Sequence, residues 1–236
     1  MTDAVTPARS AIDQAFLTGD PEAGELILVR HGEQDFPADW TAGASDFVDP
    51  PLTARGERQA EAVGRALSSR PVTAVYSSGL QRARRTGEAI GAHHGLTPSI
   101  VDDLREIEMF RDLPPGVGLV DAVGADVLRA ARATFIATRR WDAYPATETG
   151  DELRARVVPA IEAILAAHPA EVVVVACHGG VINAYAAHAI GLAGEDMFFR
   201  PAHASVHRLA FAGSRRVIGC LNVIDHLEPA DELLSW

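Results

Sequence analysis

Short apolar runs alternate along this chain with stretches in which apolar residues recur every three or four positions. A run of strand length that is apolar on both faces belongs in the middle of a sheet, whereas the wider spacing lays one apolar stripe along a helix. Leu26–Arg30 predicts a buried strand ending in His-Gly, Val72–Ser77 a second strand, and Ser99–Val101 a short third. Val172–Cys177, the most apolar run, predicts a central strand. Thr53–Ser69 reads as a helix with Ala60, Val63 and Leu67 on one face. Ser78-Gly-Leu-Gln81 reads as a capping box, opening a helix whose inner face carries Leu80, Ala83, Gly87 and Ile90. Thr149-Gly-Asp-Glu152 is a second such box, starting a helix to about His168 with Pro159 expected to kink it. Gly179–Ile190 predicts a buried helix stopped by Gly191, and strands at about Ser205–Phe211 and Arg216–Val223 close the pattern.

Strands that alternate with helices predict an α/β fold, a three-layer α/β/α sandwich around a mostly parallel sheet. Residues 1–24 show no strong periodicity and are expected to be a loosely attached N-terminal extension, leaving 25–236 as one domain. Glu33–Pro51, rich in Pro, Asp and Gly, reads as a long loop, and such loops in compact domains often carry function. About residues 110–147, longer than a simple crossover needs, a helical insertion is expected. Leu128, Ala131 and Phe135 form its apolar stripe, and Arg129, Arg132, Arg139 and Arg140 lie off it. Two readings stay open: a lid over a pocket, in which these arginines and Trp141 help choose the substrate, or a solvated basic face.

Composition narrows the chemistry. The 236 residues are 47% apolar, too apolar for a disordered chain, and carry a formal charge of −11, which argues against a general nucleic-acid binder. Every basic residue other than histidine is arginine. Without lysine there is no Schiff-base chemistry and no Walker-type phosphate loop, so any anion site must use arginine, histidine or backbone N–H groups. The N-terminus has neither the basic cluster nor the apolar stretch of a signal peptide, and no run reaches the roughly 20 apolar residues of a membrane span. Two cysteines, Cys177 and Cys220, make no disulfide framework, so a reduced, cytoplasmic protein is expected.

In a parallel α/β sheet, function gathers at the C-terminal ends of the strands. Arg30-His31-Gly32 follows the first expected strand, Ser77-Ser78 and then Arg82 the second, Leu104-Arg105-Glu106 the third, and His178-Gly179-Gly180 the central one. Two guanidinium forks match the oxygens of a phosphate dianion, and a glycine-bearing helix start adds N–H donors. A neutral imidazole can attack phosphorus, and a carboxylic acid can protonate the departing oxygen.

These pieces resemble the histidine phosphatase superfamily, in its phosphoglycerate-mutase-like branch. The resemblance rests on Leu28-Val-Arg-His-Gly-Glu33, Leu52-Thr-Ala-Arg-Gly-Glu-Arg-Gln-Ala60, Tyr76-Ser-Ser-Gly-Leu-Gln-Arg-Ala83 with Thr86, Leu104-Arg-Glu106, Gly150-Asp-Glu152 and Ala176-Cys-His-Gly-Gly180, in order over about residues 26–223. It implies that residues 25–236 form a histidine phosphatase domain and that His31 is the phosphorylated nucleophile. Arg30, Arg82 and His178 would hold the phosphoryl group with it, and Glu106 would be the general acid and base. It implies no cofactor and no metal. The superfamily's acid-phosphatase branch has His-Asp at the second histidine, whereas His178 precedes glycine. Mutases carry Ser and Asn shortly after the first motif, where this chain has Gln34 and Pro37. They also carry a basic, proline-rich segment holding a second anion. Leu113-Pro-Pro-Gly116 has no such basic cluster beside it.

The expected activity is therefore metal-independent hydrolysis of a phosphomonoester through phosphohistidine. The alternatives are a phosphoglycerate-mutase-type phosphotransferase or a non-catalytic phosphate-binding module. A metallohydrolase built on His31, His178 and His203 is a further rival, though no close His-x-x-x-His pair stands on a helix. Glu33, Gln34 and His203 are candidate substrate contacts; His203, Ser205 and His207 alternate on one strand face. Glu33 and Glu108 compete with Glu106 for the acid role, and Cys177 reads as a small buried strand residue. The expected partner is a small phosphate ester, with no nucleic acid and no membrane, and with a homodimer as the assembly to test.

Overall fold

The computed structural model describes residues 9–36, 47–114, 116–227 and 233–236. Pro37, Pro115 and the middle of the Glu33–Pro51 loop, singled out above, lie outside them. A six-stranded sheet forms from β1 (Gly24–Arg30), β2 (Val72–Ser77), β3 (Ser99–Ile100), β4 (Val172–Cys177), β5 (Val206–Ala212) and β6 (Arg215–Val223), in the order β3-β2-β4-β1-β5-β6. The first four strands in that order run parallel, and β5 and β6 add an antiparallel edge.

Side chains of β1 alternate between two cores, as the two-residue period requires. Leu26 and Leu28 face Leu153, Val157, Ile161, Val181 and Ile182, from α6 (Gly150–Ala167) and α7 (Gly179–Ile190). Ile27 and Val29 face Ala62, Val63 and Ile90, from α2 (Ala54–Leu67) and α3 (Gln81–Ala92). Helices thus cover both faces and give the three-layer sandwich. Val173, Val175 and Cys177 of β4 point to the first core and Val174 to the second, so the most apolar run is indeed central. Gly191 ends α7 with φ 67°, the left-handed conformation expected there. α6 runs through Pro159 as one 18-residue helix, opened by the expected box between Thr149 and Glu152.

The box expected at Ser78 does not form. Leu80 is the N-cap of α3 and makes no side-chain cap. The Asp49 carboxylate accepts from the Gln81 N–H at 2.8 Å, so the helix start is satisfied from a distant loop. Ser78 Oγ is used elsewhere, as described below. Residues 11–15 form a short helix α1 (Ala11–Ala15), which periodicity did not announce; a Ser10–Asp13 capping box carries it. Arg215 Nη1 donates to the Gln14 carbonyl at 2.6 Å, Arg9 pairs with Asp20, and Leu17 is buried, so this segment is tied down rather than loose.

Between β3 and α6 stand α4 (Leu119–Val123) and α5 (Ala125–Thr138). Phe110, Leu119 and Leu128 form a small separate core against Phe47, Leu113 and Tyr144. Arg129 and Arg139 are exposed to solvent and Arg140 is half-buried, and they pair with Asp126, Glu195 and Asp142. Among the described residues, no helix is long and apolar enough to cross a membrane.

Candidate active site

Strand register decides which chain ends meet. Arg30 is in register with Cys177, and Ser77 with Ala176. The residues that leave the sheet next, His31 from β1, His178 from β4 and Ser78 from β2, therefore emerge side by side. The His31 and His178 rings lie 5.0 Å apart, centroid to centroid. Arg82, in the first turn of α3, is buried beside them.

The His31 ring is fixed by its own backbone. Its Nδ1 lies 2.7 Å from the Gly32 carbonyl, an oxygen that can only accept, so the proton sits on Nδ1 and the Nε2 lone pair is free. Burial holds its pKa well below that of ordinary histidine, and the nearby charges of Arg82 and Arg30 push the same way. The ring is thus held neutral, with its Nε2 lone pair available. Gly32 is required beside it: a Cβ there would lie 2.4 Å from the Gly56 carbonyl at the start of α2. Its N–H donates to Thr86 Oγ1 at 3.1 Å.

His178 is also held neutral, by burial first and by Arg82 and Arg30 after it. Its Nε2 is 2.7 Å from Ser78 Oγ, the hydroxyl withdrawn from the capping box, while its Nδ1 has no partner. Arg30 Nη1 donates to the Pro201 carbonyl at 2.6 Å and Arg82 Nη1 to the Val48 carbonyl at 3.1 Å. Their Nε atoms are buried without partners. Burial lowers both arginine pKa values, that of Arg30 to about 10, with Glu106 opposing the shift in each case. Unpaired buried donors of this kind are costly unless an acceptor arrives. The two guanidinium Nε donors and the unpartnered His178 Nδ1, on residues crowded about His31, suit a bound oxyanion.

Glu106 reaches the same place from the loop after β3. Its carboxylate accepts the Gly180 N–H at 3.1 and 3.3 Å, and the Ile107 N–H at 3.0 Å. The carboxylate therefore sits on the first turn of α7, where the helix dipole favours negative charge. A Cβ on Gly180 would lie 2.5 Å from Glu106 Oε1, which explains the second glycine after His178. The two competitors are engaged elsewhere. Glu108 is half-buried and pairs with Arg105 at 3.1 Å. Glu33 accepts from Thr53 Oγ1 at 2.9 Å and pairs with Arg55 at 3.1 Å, fastening the loop after β1 to α2.

The His203 ring stands 5.8 Å from that of His31. Its Nδ1 is 2.9 Å from Ser235 Oγ, its Nε2 has no partner, and burial pushes its pKa down to about 2. Ser235 Oγ also takes a hydrogen bond from Gln59, whose Oε1 accepts the Glu33 N–H at 2.7 Å. Gln34 makes an isolated bridge with Leu52, and its Oε1 is buried without a partner. Cys177 is fully buried and burial pushes its thiol pKa up, so it is no nucleophile. Among the described residues no three His, Cys, Asp or Glu side chains are grouped to hold a metal ion. Gln59 and Ser235 had no role in the sequence reading, and Ser78 only that of a helix cap, because their contacts cross the fold.

Comparison with known proteins agrees with this geometry. The family model described as histidine phosphatase superfamily (branch 1) matches residues 26–224. Phosphoglycerate mutase-like protein 4 of Arabidopsis thaliana is 31% identical over 226 residues, 94% of this chain and 95% of that protein. An uncharacterized phosphatase, PhoE, of Bacillus subtilis is 30% identical over 204 residues, 86% of this chain and 96% of that protein. A mycobacterial glucosyl-3-phosphoglycerate phosphatase of known structure superposes with a TM-score of 0.70 over 86% of this chain and all of its own (100%), at 24% identity.

Proposed function

Because the chain belongs to the histidine phosphatase superfamily, we propose that it is a metal-independent phosphatase that hydrolyses a small phosphomonoester through phosphohistidine on His31. The observation that carries this reading is the neutral, oriented His31 ring among three buried nitrogens that lack partners: the donors Arg30 Nε and Arg82 Nε, and His178 Nδ1.

His31 Nε2 attacks phosphorus, a P–N bond forms and the P–O ester bond breaks. Glu106 takes a proton from the bound ester monoanion and passes it to the departing oxygen. The carboxylate then takes a proton from water, whose oxygen attacks phosphorus, breaks the P–N bond and releases inorganic phosphate. Arg30, Arg82 and His178 stabilise the charge on the transferring oxygens, and burial strengthens that attraction. His203 is assigned to the leaving-group side of the pocket. Glu33 and Gln34 shape the rim through Thr53, Arg55 and Leu52. The lack of lysine and of a second basic cluster favours transfer to water over transfer to a second phosphoglycerate-type acceptor.

The test is turnover of p-nitrophenyl phosphate with and without a chelator, together with acid quenching to trap the phosphoenzyme. Wild-type protein should turn over in both conditions and give an acid-labile adduct. His31→Ala should lose both while keeping its melting temperature. Normal turnover by His31→Ala, or wild-type activity that needs added zinc, would sink the assignment.

A further inference from the structure

The loop that delivers Glu106 has little backbone support of its own. Between β3 and the insertion, Leu104 and Arg105 donate back to Val101 and Asp102, and the carbonyls of Asp103, Arg105 and Glu106 turn toward α6. There they meet one side chain. Arg156 Nη1 donates to the Asp103 carbonyl at 2.7 Å and the Arg105 carbonyl at 2.8 Å, and Nη2 to the Glu106 carbonyl at 3.1 Å. Its Nε and Nη2 also form a bidentate pair with Glu148, both at 2.7 Å. A guanidinium has five N–H donors, and all five are used.

Glu148 completes the bracket from the other side. Its Oε2 accepts the Glu108 N–H at 3.1 Å, and its backbone N–H donates to the Glu108 carbonyl at 2.8 Å. Glu148 and Arg156 are both largely buried, and the pair lies across the N-terminus of α6. The segment 103–108 is thus gripped on both sides of residue 106. On the opposite side of that loop the Glu106 carboxylate rests on the Gly180 N–H. Fixing the loop on α6 fixes where that carboxylate can reach.

We infer that Arg156 and Glu148 are positioning residues for the general acid and base. Resting on the phosphatase reading above, this assigns the pair a place in proton delivery and not merely in stability. A lysine cannot replace Arg156, because an ammonium has three donors and no planar fork for a carboxylate.

The test compares kcat/KM for p-nitrophenyl phosphate, whose leaving group needs little help from an acid, with that for a simple alkyl phosphate, which needs the proton. Because kcat/KM reports the steps up to transfer to His31, the water-activation step does not enter. Arg156→Lys should raise the nitrophenyl-to-alkyl ratio by about 10-fold or more, and Glu148→Gln should raise it by a smaller factor. In a Glu106→Gln background neither substitution should change the ratio further, since the group they position has gone. Hydrogen exchange at the Gly180 amide, which needs no turnover, should quicken in Arg156→Lys. A purely structural role predicts equal losses on both substrates, additive with Glu106→Gln, and unchanged Gly180 exchange; that pattern would overturn the inference. A wild-type protein that hydrolyses neither ester defeats the phosphatase reading instead, while the exchange measurement still decides the clamp.

Discussion

Mild acid should destabilise this fold through its buried histidines. His31, His178, His203 and His207 are buried and held neutral, with burial the main cause in each. The pKa of His203 falls to about 2 and that of His207 to about 3. His207 also shows its tautomer: Nδ1 accepts the Asn222 N–H at 3.1 Å, so it carries no proton. In the unfolded chain each would titrate near 6.5. Below that pH the unfolded state binds protons that the folded state refuses. The stability contributed by each ring is therefore complete above about 6.5 and is lost as pH falls toward the folded value. At about pH 5.5 the loss is roughly 1.4 kcal/mol per ring, or about 5.6 kcal/mol for four. That is comparable with the whole stability of many domains, about 5–15 kcal/mol. In the unfolded chain carboxylates titrate near 4, below this window, so the histidines dominate the proton uptake. Urea unfolding at about pH 7.5, 6.5 and 5.5 measures the effect, and the slope of stability with pH counts the protons. His207→Gln should lower that count by one. A stability constant to within about 1 kcal/mol between pH 7.5 and 5.5 would refute the neutral-histidine account, and with it the physical basis for a nucleophilic His31.

Two substitutions test the acid more directly. Glu106→Gln should cut kcat/KM on alkyl phosphates by about 100-fold while costing much less on p-nitrophenyl phosphate, as expected for general acid catalysis; equal losses on both esters would remove Glu106 from that role. Gly180→Ala should also depress alkyl phosphate hydrolysis, because its Cβ would press into Glu106 Oε1. Unchanged kinetics in a folded Gly180→Ala protein would show that the carboxylate works from another position.

The elements were legible wherever the chemistry was local. Apolar runs gave the strands, three-to-four spacing gave α2 and α3, and the Thr149–Glu152 box marked the start of α6. The Ser78 pattern misled for an instructive reason. A hydroxyl three residues before glutamine suits a cap, but at the mouth of this sheet the same hydroxyl has a better partner in His178, and Asp49 takes over the helix end. α1 escaped notice because five residues are too few to show a period.

The sequence by itself determined which chemistry is available. Arginine in place of lysine, histidine at the ends of two apolar runs and glycines after them limit the site to anion chemistry at strand ends, because residue types fix charge, donors and backbone freedom. Only the tertiary structure decided how those groups act. Strand register places His31 against His178, burial makes both rings neutral, and α7 meets Glu106 at Gly180. Arg156 and Glu148 carried no local signal, since their partners lie far away in the chain. Protonation, orientation and reach depend on desolvation and on contacts across the fold, and a linear pattern carries neither.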